Sequence, residues 1–418
     1  MNQDKKRVVI TGVGIISPVG IGKDAFWSAL TKGTSGIKEI RSFDTADYSC
    51  KIGGEISDFD PDKIIAQLRT SFKQNSSTPP HTLDRVCQLG LAAAYLAIKD
   101  SSLQLATVNK QKAAVIMGTT SGTSNAFAAY HTTWLREGIK KVNPVDVAKN
   151  KHESIVHCIS NEFGLKGISV LMGTACSAGT YAIGEAFDLL RLSKAEVILA
   201  GGADALSEVS HCGFNALRSL TKSVCRPFDK RRDGMVVSEG GAVVILETLE
   251  HAQKRNAHIY AEVVGYGLSC DAEHMTAPQA NGESAANSMN MALKDAGITP
   301  ERVDYISAHG TGTHLNDLME TNGIKRVFGE YAYKVPVSSV KSMVGHTFGA
   351  AGAIKIISCT LALQHNTLPP TINYQEQDPE CDLDYVPNTA RKKEINITLS
   401  NSFAFGGNNA TLILRNYQ

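Results

Sequence analysis

The stretch Ile168-Ser-Val-Leu-Met-Gly-Thr-Ala-Cys176-Ser-Ala-Gly179 decides the fold. Its apolar opening, Ile168 to Met172, reads as a buried strand. A turn of small residues follows, and then Tyr181-Ala-Ile-Gly-Glu-Ala-Phe-Asp-Leu-Leu190 has helical spacing. A strand that runs through such a turn into a helix sets Cys176 near the helix N-terminus. There the positive end of the helix dipole favours the thiolate, the reactive form. Small neighbours leave room for a bulky substrate to reach the sulfur. A buried structural cysteine is the bland alternative; two histidines farther along the chain weigh against it.

Outward from this stretch, short apolar runs alternate with helical patterns, as in an α/β protein with buried strands. Strands are expected at Arg7–Ile10, Ala113–Met117, Ser169–Met172, Val197–Ala200, Ala242–Leu246, Val303–Ser307 and Ile395–Ser400. Helices are expected at Asp24–Thr31, Val86–Lys99, Thr180–Leu192, Ser284–Ala296 and Ala351–Gln364. The strand, glycine turn and helix around Cys176 have a faint echo in Val335-Pro-Val-Ser-Ser-Val340, Gly345-His346 and Ala350-Ala-Gly-Ala-Ile-Lys355. A duplicated α/β unit fits, with a seam in the charged stretch 250–258. The expected domains are residues 1–255, carrying Cys176, and 256–418, carrying both histidines. Segments 34–84 and 119–165, poor in strand periodicity, read as insertions.

Composition closes off several function classes. The 418 residues carry 42 Lys and Arg against 41 Asp and Glu, a net charge of +1, which lacks the basic excess of a nucleic-acid binder. No apolar run approaches the length of a membrane span. Met1-Asn-Gln-Asp-Lys-Lys6 leads directly into Arg7-Val-Val-Ile-Thr-Gly12, without the long apolar stretch of a signal peptide. The nine scattered cysteines include no CxxC pair, which argues for a reducing compartment, the cytoplasm, and against a disulfide framework or zinc site.

The two histidines lie in Tyr305-Ile-Ser-Ala-His309-Gly-Thr-Gly-Thr313 and Lys341-Ser-Met-Val-Gly-His346-Thr-Phe-Gly-Ala-Ala-Gly352. A lone histidine is usually a satisfied core or surface residue. Two of them, each where a strand closes into a glycine turn with Thr or Lys nearby, point to chemistry. Neither motif has an i, i+4 His pair or a HExxH helix, so no metal site is expected.

These motifs, with Ile10-Thr-Gly-Val-Gly-Ile-Ile-Ser-Pro-Val-Gly20 and Asn401-Ser-Phe-Ala-Phe-Gly-Gly-Asn-Asn409, resemble those of β-ketoacyl-acyl-carrier-protein synthases of the type II elongating kind and their polyketide relatives. The resemblance spans nearly the whole chain, and the ordered set is far more specific than any one motif. It implies a thiolase-like fold: an α/β chain duplicated into five layers, α-β-α-β-α. It implies a decarboxylating Claisen condensation, with Cys176 taking the acyl chain as a thioester. His309 and His346 would flank malonyl on its carrier protein and stabilise the enolate left by decarboxylation. Backbone N–H groups of Cys176 and Phe405 would form the oxyanion hole. Lys341 would set the electrostatics around His309, and Glu320 and Asp317 would order that network. Thr311 and Thr313 would contact the pantetheine arm. Phe403 and Phe405 would form a gate loop facing Asp271 and His274, and Ser121 would lie on the acyl pocket. The partners implied are an acyl carrier protein, in acyl and malonyl forms, and a second copy of the chain. Neither nucleic acid nor membrane insertion is expected. No cofactor is implied beyond the phosphopantetheine that the carrier brings.

The chain departs from the family's pattern at several positions. Ala404 stands where glycine is usual, which would restrict the gate by removing free access to positive φ. Asn408 replaces a common threonine, and Glu273 a frequent aromatic residue. Ser121 replaces a bulkier apolar residue, and the stretch 146–154 is unusually charged, so an altered acyl pocket is expected. Residues 75–82, where a basic carrier-docking cluster is usual, hold no Lys or Arg. Arg218, Lys222, Arg226, Lys230, Arg231 and Arg232 are the alternative docking patch, since basic patches speed encounter with an acidic carrier. A non-elongating partner or decarboxylase subunit of a heteromeric ketosynthase is the rival reading. Such partners usually lack the active cysteine, which this chain keeps.

Overall fold

The computed structural model describes residues 5–72, 78–149, 151 and 154–417. Residues 1–4 of the N-terminus, residues 75–77 of the stretch 75–82, and residues 150, 152 and 153 of the stretch 146–154 lie outside the described residues.

Ten strands make two halves of identical topology. The first half holds β1 (Val8–Ser17), β2 (Ala113–Gly118), β3 (Ser169–Met172), β4 (Val197–Asp204) and β5 (Gly240–Thr248), in spatial order β3-β2-β4-β5-β1. The second holds β6 (Ala261–Cys270), β7 (Tyr305–Ser307), β8 (Val337–Ser338), β9 (Ile397–Ser402) and β10 (Asn408–Asn416), in spatial order β8-β7-β9-β10-β6. In each half the first three strands of that order are parallel and the last two pair antiparallel. The halves join where Val8–Ile10 pairs antiparallel with Ala261–Val263, giving one continuous sheet.

Helices fill three layers around it. Helix α1 (Arg85–Ser101) and, after the more exposed α2 (Ser124–Glu137), helix α3 (Ser154–Phe163) cover the outer face of the first half. Helix α4 (Ala178–Arg191) lies in the middle layer. Helices α5 (Glu283–Ala296) and α6 (His314–Phe328) cover the outer face of the second half, and α7 (Ala351–His365) joins α4 in the middle. Strand alternation builds this layering. Ile116, Ile198 and Val244 face the middle layer, whereas Val115, Leu199 and Val243 face α1. Leu412 and Leu414 face the middle, while Ile306, Leu399 and Ile413 face the opposite outer layer. Three cores between five layers are the duplicated architecture expected of the chain.

The two central helices touch through glycine. A Cβ on Gly179 would come within 2.5 Å of the Gly349 carbonyl oxygen, so α4 and the turn before α7 could not approach as they do with any larger residue. Close packing also explains one difference from expectation. The first strand does not end at Ile10 but continues to Ser17, because its glycines are packing sites rather than loop residues. A Cβ on Gly14 would lie 2.0 Å from the Ala93 carbonyl oxygen of α1. Segment 119–165 is largely helical; Ile155, Val156, Ile159 and Phe163 of α3 are buried against α1.

Candidate active site

Each half ends a strand in a tight elbow before its central helix. In the first, Ala175 takes φ 48° and Cys176 follows in a short turn that opens α4. In the second, His346 and Thr347 precede Phe348, with φ 49°, in the turn that opens α7. A left-handed conformation at a residue with a Cβ is unfavourable, so surrounding packing must impose it. Asp204, at the end of β4, is the clamp. Its buried carboxylate accepts from the N–H of Thr120 (2.8 Å), Ser121 (2.8 Å) and Gly349 (2.7 Å) and from the Thr119 hydroxyl (2.9 Å). Two loops of the first half are thereby tied to the second elbow. Burial pushes the Asp204 carboxyl up to about 6 against these four donors.

The elbows and the turn after β7 bring Cys176, His309 and His346 onto one cavity of about 330 Å³. The histidine rings meet edge-on, with centroids 5.4 Å apart. The Lys341 ammonium donates to His309 Nδ1 at 3.2 Å and to the His309 carbonyl oxygen. The Phe348 backbone N–H donates to His346 Nδ1 at 3.2 Å. With each Nδ1 acting as acceptor, the hydrogen of each neutral ring sits on Nε2. Burial, with Lys341 as the next cause, holds both imidazoles well below their usual range, so both are neutral. Two N–H donors beside one sulfur can bind an oxygen that gains negative charge.

Cys176 is only 6% exposed and packs with Leu206, Met235 and Phe348. Here the structure corrects the expectation of a thiolate. Burial pushes the Cys176 thiol up to about 12, outweighing Lys341 and the residue's own backbone N–H. The resting group is the thiol. Lys341, itself 1% exposed, is pushed down to about 8 by burial, opposed by Glu320 and Cys176.

The supporting network is built on carboxylates. Glu320 accepts from the N–H groups of His309 and Gly310, each at 2.8 Å, and from Asn401 Nδ2 at 3.3 Å. Asp317 accepts from the N–H of Thr311 (3.0 Å), Gly312 (3.3 Å) and Phe228 (2.7 Å). Together they fix the turn that presents His309. Thr311 and Thr313 line the cavity and share a 2.8 Å hydrogen bond between hydroxyls.

Phe403, Phe405, Asp271 and His274 also line the cavity. Phe403 meets His309 with ring centroids 5.9 Å apart, and Phe405 packs on Phe214 at 5.6 Å. The two loops are laced together: the Gly406 N–H donates to the Met275 carbonyl at 2.8 Å, and the Asp271 N–H to that of Gly407 at 3.0 Å. Ala404 sits at φ −142°, extended backbone open to any residue, so in this conformation it imposes no strain. Gly406 and Gly407 carry the positive φ values of 79° and 74°.

Two groups of expected site residues fall elsewhere. Ser121 is not among the residues lining the cavity; its N–H is held by Asp204 and its hydroxyl pairs with Ser210 at 2.8 Å. Arg232 is 3% exposed and pairs with Asp378 and Asp317, so it braces the His309 turn and cannot dock a partner. Lys230 and Arg231 are exposed but engaged with Glu376. Arg226 is half-buried and donates to the Ser223 hydroxyl at 3.2 Å. Of the expected docking cations, Arg218 lines the cavity and is exposed, as is Lys222. Sequence reasoning missed Asp204 and Phe348. The glycine run before Asp204, Gly201-Gly202, was the available signal that backbone crowds that strand end.

The pattern described as "Beta-ketoacyl synthase, N-terminal domain" matches residues 5–252, and that of the C-terminal domain matches residues 260–375. The chain is 39% identical, over the whole of both chains, to 3-oxoacyl-[acyl-carrier-protein] synthase 2 of Synechocystis sp.. It is 41% identical to the protein of the same name from Coxiella burnetii, covering 98% of this chain and 99% of that one. Among solved structures, the ishigamide ketosynthase/chain length factor superposes with a TM-score of 0.93 at 39% identity, over 99% of this chain and 100% of that one. A ketosynthase of a type II polyketide system, solved with its acyl-carrier protein and bound to the hexaketide, superposes with a TM-score of 0.91 at 32% identity, over 99% and 100%.

Proposed function

The chain belongs to the β-ketoacyl synthase family, and from that premise we propose how its residues carry out the condensation of an acyl thioester with malonyl-acyl-carrier-protein to give 3-oxoacyl-acyl-carrier-protein. The observation that carries the reading is the convergence of one thiol and two neutral imidazole N–H donors on a single cavity.

In the first half-reaction the Cys176 sulfur attacks the acyl thioester of the carrier. A new Sγ–C bond forms, the bond to the pantetheine sulfur breaks, and the Cys176 proton leaves on that thiol. The tetrahedral oxyanion is received by the backbone N–H groups of Cys176 and Phe405. In the second, malonyl thioester enters with its carbonyl oxygen between His309 and His346. Loss of carbon dioxide leaves its electron pair as an enolate, whose oxygen accepts from both Nε2–H donors. The Lys341 cation behind His309 favours that charge. The enolate carbon then attacks the Cys176 thioester, the C–S bond breaks, and the sulfur takes a proton from solvent. Thr311 and Thr313 hold the pantetheine arm, and the only prosthetic group required is the one the carrier brings.

Arg218 and Lys222 receive the acidic carrier at the cavity mouth. The functional unit is a homodimer. Strand β3 ends the sheet with an open edge, and the same half of the chain exposes Phe127, Trp134, Leu135, Ile139 and Ile168, between 38% and 71%. An unpaired edge together with exposed apolar side chains fits pairing with a second copy of itself. Nine free cysteines suit the cytoplasm, and no helix among the described residues is long and apolar enough to cross a membrane.

The test is product formation. Acyl- and malonyl-carrier proteins incubated with the enzyme should give a 3-oxoacyl chain two carbons longer, and Cys176→Ala should give none. Elongation that survives Cys176→Ala would refute the assignment.

A further inference from the structure

Strands β6 and β10 end side by side, with Cys270 opposite Asn408, and the loops beyond them form one wall of the cavity. Residues 271–278 follow β6, and residues 403–407 precede β10. The base of this wall is pinned at Asp271. Its N–H donates to the Gly407 carbonyl at 3.0 Å, and its carboxylate accepts from Asn409 Nδ2 at 2.7 Å and from the Gln279 N–H at 3.4 Å. The tip is held by a different bond: the Gly406 N–H donates to the Met275 carbonyl at 2.8 Å.

His274 decides where that carbonyl points. Its Nδ1 accepts from the N–H of Thr276 at 3.1 Å and from that of Ala277 at 3.0 Å. The Thr276 N–H and the Met275 carbonyl belong to one peptide, and in a trans peptide the two groups point in opposite directions. Drawing the N–H to the imidazole therefore turns the carbonyl away from it, onto Gly406. A line of hydrogen bonds runs from the His274 ring, through one peptide plane, into the second loop.

The second loop carries an unused donor. The Ala404 carbonyl accepts from the Gly407 N–H at 3.0 Å, so the N–H of the same peptide, that of Phe405, points the other way. Among the described residues nothing accepts from it. This is the N–H assigned above to the tetrahedral oxyanion. The turn that holds it has positive φ at both Gly406 and Gly407, residues free to take other conformations, so the bond to Met275 is needed to fix its tip.

We propose that His274 is a positioning residue of the oxyanion hole: by accepting from Thr276 and Ala277 it aims the Met275 carbonyl at Gly406, and so fixes the turn that presents the Phe405 N–H to the thioester oxygen. The inference rests on the function proposed above.

The test compares His274→Ala and His274→Asn with wild type, using intact protein and an acyl-carrier protein, with acylation of Cys176 read by mass. The amide oxygen of Asn is as many bonds from the backbone as Nδ1 is in His, so it can accept from the same two N–H groups. Outright loss of an oxyanion-hole donor lowers the rate about a hundredfold or more, and a donor kept on a loosened turn should lose less. In His274→Ala the maximal rate of acylation should fall by about tenfold, while the carrier concentration giving half that rate moves by less than about twofold. His274→Asn should restore most of the rate. Alkylation of Cys176 by iodoacetamide displaces iodide and forms no oxyanion, so it should not slow in either variant. Wild-type acylation in His274→Ala, a loss due entirely to a higher half-maximal carrier concentration, no rescue by Asn, or alkylation that slows in step with acylation would each overturn the inference. If His274→Ala fails to fold, His274→Gln, whose amide is one bond too far out to close the turn, takes its place with its melting temperature checked. A wild-type chain that loads from no acyl-carrier protein would overturn the proposed function and this inference with it; one that loads, beside an indifferent His274→Ala, overturns this inference alone.

Discussion

Lys341 is the residue on which the electrostatics turn. It must be an ammonium to favour negative charge beyond His309, yet burial brings it down to about 8. As pH rises through that value the cation is lost, so condensation should fall on the alkaline side near pH 8. Acylation of Cys176, which does not use the histidines, should not share that limb. A steady-state profile of both half-reactions checks this, and condensation that stays level to pH 10 would contradict it. The key residues were legible because their neighbours are unusual: small residues flank Cys176, and glycines flank both histidines. The protonation state of Cys176 was not legible. A helix end can be seen in a sequence, but the apolar wall of Leu206, Met235 and Phe348 around the sulfur comes from distant segments. Arg232 shows the same limit. Lys230-Arg-Arg232 reads as a basic surface run, and only the fold reveals that its last member is buried on Asp317 and Asp378.

Among the elements, β5 is braced by one buried carboxylate in addition to its ladders with β1 and β4. Glu247 accepts from Thr11 of β1, from His251 and from Arg255, and these donors hold it down to about 2 despite burial. A carboxyl lowered on folding stabilises the native state above its ordinary range near 4.5 and loses that contribution as pH falls toward 2. The shift corresponds to roughly 3 kcal/mol. Glu247→Gln should therefore lower stability by about that amount at neutral pH, and should flatten the acid dependence between pH 5 and 2. Urea melts across that range provide the check; a variant with wild-type stability would contradict it. Elements were legible where apolar periodicity was strong, as in α1 and α7. The first strand was misread where glycine served packing; segment 119–165, read only as an insertion poor in strand periodicity, is largely helical.

At the scale of the whole molecule, the repeated strand order puts Cys176 and the two histidines on opposite halves of one continuous sheet. The reaction therefore needs both halves, and the cavity lies where they meet. The open edge of β3 and the exposed apolar residues of the first half predict a particle of twice 44.8 kDa by light scattering. Trp134→Glu with Leu135→Glu should shift it to the single-chain mass, by placing charge on an apolar contact. A wild-type protein that is monomeric at working concentrations would contradict the homodimer. Full activity only with a second, different chain would favour the heteromeric arrangement instead.

The most direct test of the central claim is a chase followed by intact mass. Enzyme loaded with a defined acyl-carrier protein should gain that acyl group on Cys176. Addition of malonyl-carrier protein should then return the enzyme to its unmodified mass, while the carrier acquires the 3-oxoacyl chain and carbon dioxide is released. In His309→Ala and His346→Ala the acyl group should load and then remain. An acyl-enzyme that forms but does not discharge onto malonyl-carrier protein in the wild type would contradict the account.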